Sequence, residues 1–72
     1  AIPAFIMEQD GLTPREIDVL RQVAEGASNP EISDQLEISP HTVKSHLIHI
    51  FNKLSVNDRT QAAVWAAKNG IV

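Results

Sequence analysis

The feature that most constrains this chain is a pair of neighbouring helix patterns, at residues 28–36 and 40–54, separated by three residues. The first begins with Ser28 and Glu31, the spacing of a capping box. The second carries its apolar side chains on one continuous face: Val43, Leu47, Ile50, Phe51 and Leu54. Two helices joined by so short a break cross steeply, which leaves the outer face of the second helix free to project from the domain.

A further helix pattern precedes this pair and another follows it. Thr13 and Glu16 form a second capping box, and Gly26 is a typical residue just beyond a helix end. The last pattern is capped by Asn57 and ends at Gly70. Since no strand pattern is present, we predict an all-α, four-helix bundle-like domain that contains a helix-turn-helix, with helices at about 14–25, 29–36, 40–54 and 58–68.

Length and composition exclude several classes of protein. The 72 residues include no cysteine, so disulfides and thiolate metal sites are excluded. There is also no glycine-rich phosphate loop and no paired-carboxylate cleft, so we predict that the chain is not an enzyme and needs no cofactor. No membrane span is predicted. The chain does not begin with Met, and we expect a cytoplasmic domain at 12–72 preceded by a linker or tail at 1–11.

Two histidines of the second helix in the pair are candidate metal ligands. His46 and His49 are three residues apart, a spacing that permits joint coordination. Two imidazoles without a cysteine or a nearby carboxylate make a poor site, so no metal is predicted.

Charge is distributed unevenly along the chain. Residues 1–37 hold eight carboxylates against two arginines, a net charge of −6, whereas residues 38–72 hold four cationic side chains against one carboxylate, a net charge of +3. Binding to phosphates requires lysine and arginine, so the second half is the candidate surface for nucleic acid. A chance partition of charges over a solvated surface is the alternative.

Four ordered sequence blocks carry a family resemblance: LTPRE, SN-x-EI, TVKSH and KLSV-x-x-RT-x-A. Together they cover residues 12–72 and resemble the LuxR-type helix-turn-helix domain, the C-terminal output domain of NarL/FixJ response regulators and of quorum-sensing regulators. The resemblance implies sequence-specific binding of double-stranded DNA by a bacterial-type transcription regulator, with residues 40–54 as the recognition helix in the major groove. It also implies binding as a homodimer.

The resemblance assigns roles to individual side chains. Positions that contact or tune contact with DNA bases correspond to His41, Lys44, Ser45, Ile48 and His49. Positions that contact DNA phosphates correspond to Ser28, Asn29, Thr42, Lys53 and Arg59. The last helix resembles the dimerisation helix, for which the candidate contacts are Val64, Ala67 and Lys68.

The sequence also departs from the family pattern. Glu37 stands where a small turn residue is common, and Pro30 replaces a frequent lysine. In the last helix Trp65 is predicted to lie in the core with Val64 half-exposed, since large aromatic side chains are mostly buried. The alternative is that Val64 belongs to a dimer contact.

Partners and competing functions follow from the same residues. The expected partners are double-stranded DNA, a second copy of the chain, and an N-terminal receiver or ligand-sensing domain of the full-length protein, with RNA polymerase as a further candidate. The competing interpretations are a helical protein-interaction module, supported by the acidic first half, and a sigma-factor-like promoter-recognition domain.

Overall fold

The computed structural model describes residues 11–71 and contains, within that range, four helices and no strand. The predicted all-α fold is confirmed, and each helix end lies within one residue of its predicted position. The predicted tail lies outside the described residues except for Gly11. In chain order the helices are α1 (Pro14–Ala24), α2 (Asn29–Leu36), α3 (Pro40–Leu54) and α4 (Arg59–Lys68).

Side-chain caps define where the first two helices begin. In α1 the backbone N–H of Glu16 donates to Thr13 Oγ1 at 3.1 Å, and the N–H of Thr13 donates to Glu16 Oε1 at 2.9 Å. Ser28 and Glu31 make the same reciprocal pair at the start of α2. Both predicted capping boxes are therefore present, which explains why the sequence located these helix starts well.

The predicted cap of α4 was wrong by one residue. Asp58 is the N-cap, because its Oδ1 accepts the backbone N–H of Gln61 at 2.9 Å. Asn57 lies outside the helix, and its own backbone N–H donates to Gln61 Oε1 at 2.9 Å. Both residue types are good caps, so sequence alone did not separate the two neighbours.

The core lies between α1 and the other helices. α1 packs against both α3 and α4, while α2 packs mainly against α3. Trp65 is half-buried and packs against this core. The buried apolar side chains are Leu12, Ile17, Val19, Leu20, Val23, Ile32, Val43, Leu47, Ile50, Ala62, Ala66 and Ile71. α3 is thus held by its inner face, and its outer face is left uncovered by the described residues.

Two hydrogen bonds fix the turn between α2 and α3. The backbone N–H of Ile38 donates to the carbonyl oxygen of Ser33 at 3.1 Å, and Ser33 Oγ donates to the carbonyl oxygen of Ile38. Glu37 lies between Ser33 and Ile38, and its φ of +56° is in the left-handed region. The hydrogen bond from the Ile38 N–H to the Ser33 carbonyl oxygen closes a six-residue turn, as in the Schellman motif that commonly ends a helix at a left-handed residue.

Glu37→Gly should stabilise the domain, because glycine adopts a left-handed φ without the steric penalty of a side chain. We expect an increase of about 0.5–1 kcal/mol in the free energy of unfolding, because relief of a left-handed penalty of about 1–2 kcal/mol exceeds the extra chain entropy that glycine loses on folding. Urea denaturation measures the change. Glu37→Ala is the matched control, since it removes the carboxylate but keeps Cβ. Equal stabilisation by both variants would show that the charge, and not the backbone conformation, limits stability.

None of the helices within residues 11–71 is both long enough and apolar enough to cross a membrane.

Candidate nucleic-acid interface

The outer face of α3 presents a contiguous row of polar and apolar side chains, which we call the α3 outer stripe. Its members recur at the three- and four-residue spacing that places side chains on one side of a helix: His41, Lys44, Ser45, Ile48 and His49. Ser45 is half-buried and the other four are exposed, with Ile48 at 51%. α3 contains no carboxylate, so nothing in the helix itself repels an anion.

The α3 outer stripe begins at the N-terminal end of α3, where His41 is the second residue of the helix. Ser39 Oγ accepts the backbone N–H of Thr42 at 3.1 Å and lies 2.8 Å from Thr42 Oγ1. This pair holds the half-buried Thr42 hydroxyl at the first turn. The N-terminal end of a helix has a partial positive charge, which favours anions such as phosphate.

Lys53 does not extend freely into solvent. Its Nζ donates to Glu16 Oε1 at 2.7 Å, and its side chain is 35% exposed. The sequence predicted Lys53 as a phosphate contact and Glu16 only as a capping residue. Their contact joins α3 to the start of α1, and no pattern in the sequence indicated it, since 37 residues separate the two.

Glu16 is a buried carboxylate with several partners. Besides Lys53 and the N–H of Thr13, it lies 4.0 Å from His49 Nδ1 through its Oε2 atom. Burial raises the pKa of Glu16, but the hydrogen bonds from Lys53 and Thr13 and the nearby positive charges outweigh it, so its pKa lies below the usual value of 4.5. The carboxylate therefore stays ionised at neutral pH and anchors the C-terminal half of α3.

Arg59 also has partners within the chain. Its guanidinium donates from Nη1 to Asn29 Oδ1 at 2.5 Å and from Nη2 to the carbonyl oxygen of Ala27 at 2.6 Å. Arg59 and Asn29 were both predicted as phosphate contacts, each on its own. The structure brings them together across 30 residues of sequence, a contact that sequence reasoning missed.

The predicted dimer contacts share one exposed side of α4. Val64 is 48% exposed, and Ala67 and Lys68 are exposed beside it at the i+3 and i+4 positions. Within residues 11–71, Val64 and Ile48 are the large apolar side chains with the greatest exposure. The predicted core position of Trp65 holds in part, because its ring is half-buried.

Comparisons with known proteins agree with this geometry. The family model described as "Bacterial regulatory proteins, luxR family" matches residues 10–66. The chain is 47% identical over 66 residues to the transcriptional regulatory protein LiaR of Bacillus subtilis (strain 168), covering 92% of this chain and 31% of LiaR. It is 43% identical over 70 residues to the transcriptional regulatory protein ComA of the same organism, covering 97% of this chain and 33% of ComA.

A solved structure has the same fold. The response regulator ChrA of a heme-sensing two-component system superposes with a TM-score of 0.79 at 36% identity, covering 93% of this chain and 36% of ChrA. The chain thus spans about a third of the length of the relatives it matches. The matched family consists of transcription regulators and is not a family of enzymes. From the family match and the four-helix geometry we conclude that the chain belongs to the luxR family of bacterial regulatory proteins, as a helix-turn-helix DNA-binding domain.

Proposed function

We propose that this domain binds double-stranded DNA sequence-specifically, with α3 lying in the major groove. The observation that supports this most strongly is the α3 outer stripe, which is accessible, free of carboxylates and carried by a helix whose other face is packed into the core. A helix of this diameter fits the major groove, where each base pair offers a distinct set of donors, acceptors and methyl groups.

Each member of the stripe has a chemical role to play at base edges. Lys44 donates to guanine O6 or N7, the acceptors that lysine and arginine most often meet in the major groove. Ile48 packs against a thymine methyl group, which accounts for an exposed isoleucine on a polar face. His41, Ser45 and His49 contribute shorter contacts, direct or through water.

Phosphate contacts hold the helix in register without reading sequence. Ser28 and Asn29 at the start of α2, and Thr42 at the start of α3, are placed at helix N-termini, which attract phosphate. Lys53 contributes through its positive charge, although a direct contact requires it to exchange its ion pair with Glu16 for a phosphate.

We assign residues 12–72 to the DNA-binding domain and residues 1–11 to a linker from an N-terminal receiver or ligand-sensing domain. The greater length of LiaR, ComA and ChrA supports this arrangement. The full-length protein would act in the bacterial cytoplasm as a transcription regulator of the response-regulator type, with RNA polymerase as a further partner.

Selection of bound duplexes from a random DNA pool tests the proposed function. We expect enrichment of a short motif that occurs twice, in direct or inverted orientation. Recovery of no motif, while circular dichroism shows the helices intact, would contradict DNA reading and favour the protein-interaction module instead.

The exposed side of α4 leads to a prediction about dimerisation. Val64→Glu should abolish cooperative occupancy of a duplex with two half-sites, since it places a carboxylate in an apolar contact around Val64 and Ala67. Affinity for a duplex with one half-site serves as the internal control and should not change. Electrophoretic mobility shifts distinguish the singly and doubly bound species, and unchanged cooperativity would remove α4 from the proposed dimer contact.

A further inference from the structure

Arg59 links the beginnings of two helices. It is the first residue of α4, and its guanidinium contacts Asn29, the first residue of α2, together with the carbonyl oxygen of Ala27 in the loop before it. The planar guanidinium provides two donors in fixed directions, which suits simultaneous contact with two acceptors. The start of α4 is therefore tied to the start of α2.

This contact determines which way the side-chain amide of Asn29 faces. The carboxamide has an acceptor oxygen on one side and an NH₂ group with two donors on the other. Because a guanidinium can only donate, Arg59 selects Oδ1 of Asn29 as its partner. The Nδ2 group is consequently directed away from Arg59, and within the described range it has no hydrogen-bond acceptor.

Most of the other donors at the start of α2 are already in use. The N–H of Ser28 donates to Glu31 Oε1 at 2.8 Å, and the N–H of Glu31 donates to Ser28 Oγ at 3.3 Å. Pro30 has no N–H. Apart from the Ser28 hydroxyl, whose oxygen accepts from Glu31, Asn29 thus offers the remaining donors of this helix start, one from its backbone and two from Nδ2.

We propose that Arg59 is a positioning residue that orients the Nδ2 group of Asn29 toward a DNA phosphate, and that Arg59 does not itself contact phosphate. The inference rests on the proposed DNA-binding function and deepens it by changing the role that the family resemblance assigned to Arg59. Since α4 also carries the proposed dimer contacts, Arg59 joins the dimer helix to the phosphate-binding start of α2.

Salt dependence separates the two roles. Each phosphate neutralised by a cationic side chain contributes about 0.9 to the slope of log affinity against log salt concentration, whereas a neutral amide donor contributes no charge. We expect Arg59→Ala and Asn29→Ala each to weaken binding to the selected duplex on the order of tenfold, as for the loss of a hydrogen bond to a charged group. Neither variant should change the salt slope.

Two further variants sharpen the test. Arg59→Lys keeps the charge but lacks the planar fork, so it should behave like Arg59→Ala. The double variant Arg59→Ala with Asn29→Ala should be little weaker than either single variant, because both changes remove the same contact. Arg15→Ala, which removes one exposed charge from α1, is the charge-matched control. Circular dichroism at the assay temperature verifies that each variant is folded, and Asn29→Ala and Arg59→Lys carry the test if Arg59→Ala is not.

The opposite pattern would overturn the proposal. A direct phosphate contact by Arg59 predicts a slope reduced by about 0.9 in Arg59→Ala, near-normal binding by Arg59→Lys, and additive losses in the double variant. Failure of the proposed function is a different result, in which the unmodified domain selects no duplex at all. In NMR spectra the Asn29 side-chain NH₂ signals should move when the selected duplex is added, and signals that stay in place would also contradict the proposal.

Discussion

Lys44→Ala is expected to weaken binding to the selected duplex by about 1–3 kcal/mol, the range for losing a lysine or arginine contact to a guanine edge. Lys44 is exposed on the α3 outer stripe and forms no ion pair among the described residues, so its ammonium group is available to DNA. Fluorescence anisotropy with the selected duplex and with point-substituted duplexes measures the loss. Because a base contact specifies sequence, the variant should also discriminate less at one base pair.

Arg15→Ala provides the charge-matched control for this prediction. Arg15 is exposed on α1, and its Nη1 atom lies 3.9 Å from Asp18 Oδ2. It is not among the proposed DNA contacts, so its removal should change affinity little. If Lys44→Ala and Arg15→Ala weakened binding equally for every duplex, Lys44 would be acting only through its charge and the assigned base contact would be wrong.

The largest expected effect on stability comes from Glu16→Ala. The change removes the side-chain acceptor of the Thr13 N–H, which is one of the two hydrogen bonds of the α1 capping box, and leaves Lys53 of α3 without its partner on α1. We expect the free energy of unfolding at pH 7 to fall by about 2 kcal/mol, combining the loss of one capping hydrogen bond with that of a charge-assisted hydrogen bond that solvent partly screens. Glu31→Ala is the matched control, since Glu31 occupies the equivalent capping position of α2 at an exposed site, and its effect should be smaller.

Lowering the pH should reduce the contribution of Glu16 to the free energy of unfolding. Since the folded-state pKa lies below the usual 4.5, the contribution is complete above pH 4.5 and is lost as the pH falls through the folded-state pKa. The difference in unfolding free energy between the unmodified domain and Glu16→Ala should therefore narrow below about pH 4.5. A difference that is constant between pH 7 and pH 3 would show that the ionised carboxylate does not stabilise the fold.

The helix ends were predictable from sequence because their determinants are local. Thr13 with Glu16 and Ser28 with Glu31 are three residues apart, so the capping boxes could be seen without any tertiary structure. The start of α4 was missed by one residue because Asn57 and Asp58 are adjacent and chemically similar. Only the geometry of the chain determines that the side chain of Asp58 meets the N–H of Gln61.

The contacts that organise the candidate interface were not predictable in the same way. Glu16 meets Lys53 and Asn29 meets Arg59 across 37 and 30 residues. A sequence motif marks these side chains individually, but the pairings depend on how α1 packs against α3 and on how the start of α4 lies beside the start of α2. Consequently the exposed stripe of α3 could be predicted from helical periodicity, while the internal partners of three predicted phosphate contacts, Lys53, Arg59 and Asn29, could not.

An NMR titration of the isotope-labelled domain with the selected duplex tests most directly the claim that α3 reads DNA. We predict that the largest amide shift changes occur along the α3 outer stripe, at Lys44, Ser45 and Ile48, with smaller changes at the start of α2. A scrambled duplex of equal length, titrated at the same ionic strength, should produce weaker shift changes that are spread over the surface of the domain. Shift changes confined to α1, or equal for both duplexes, would contradict the assignment of α3 as the recognition helix.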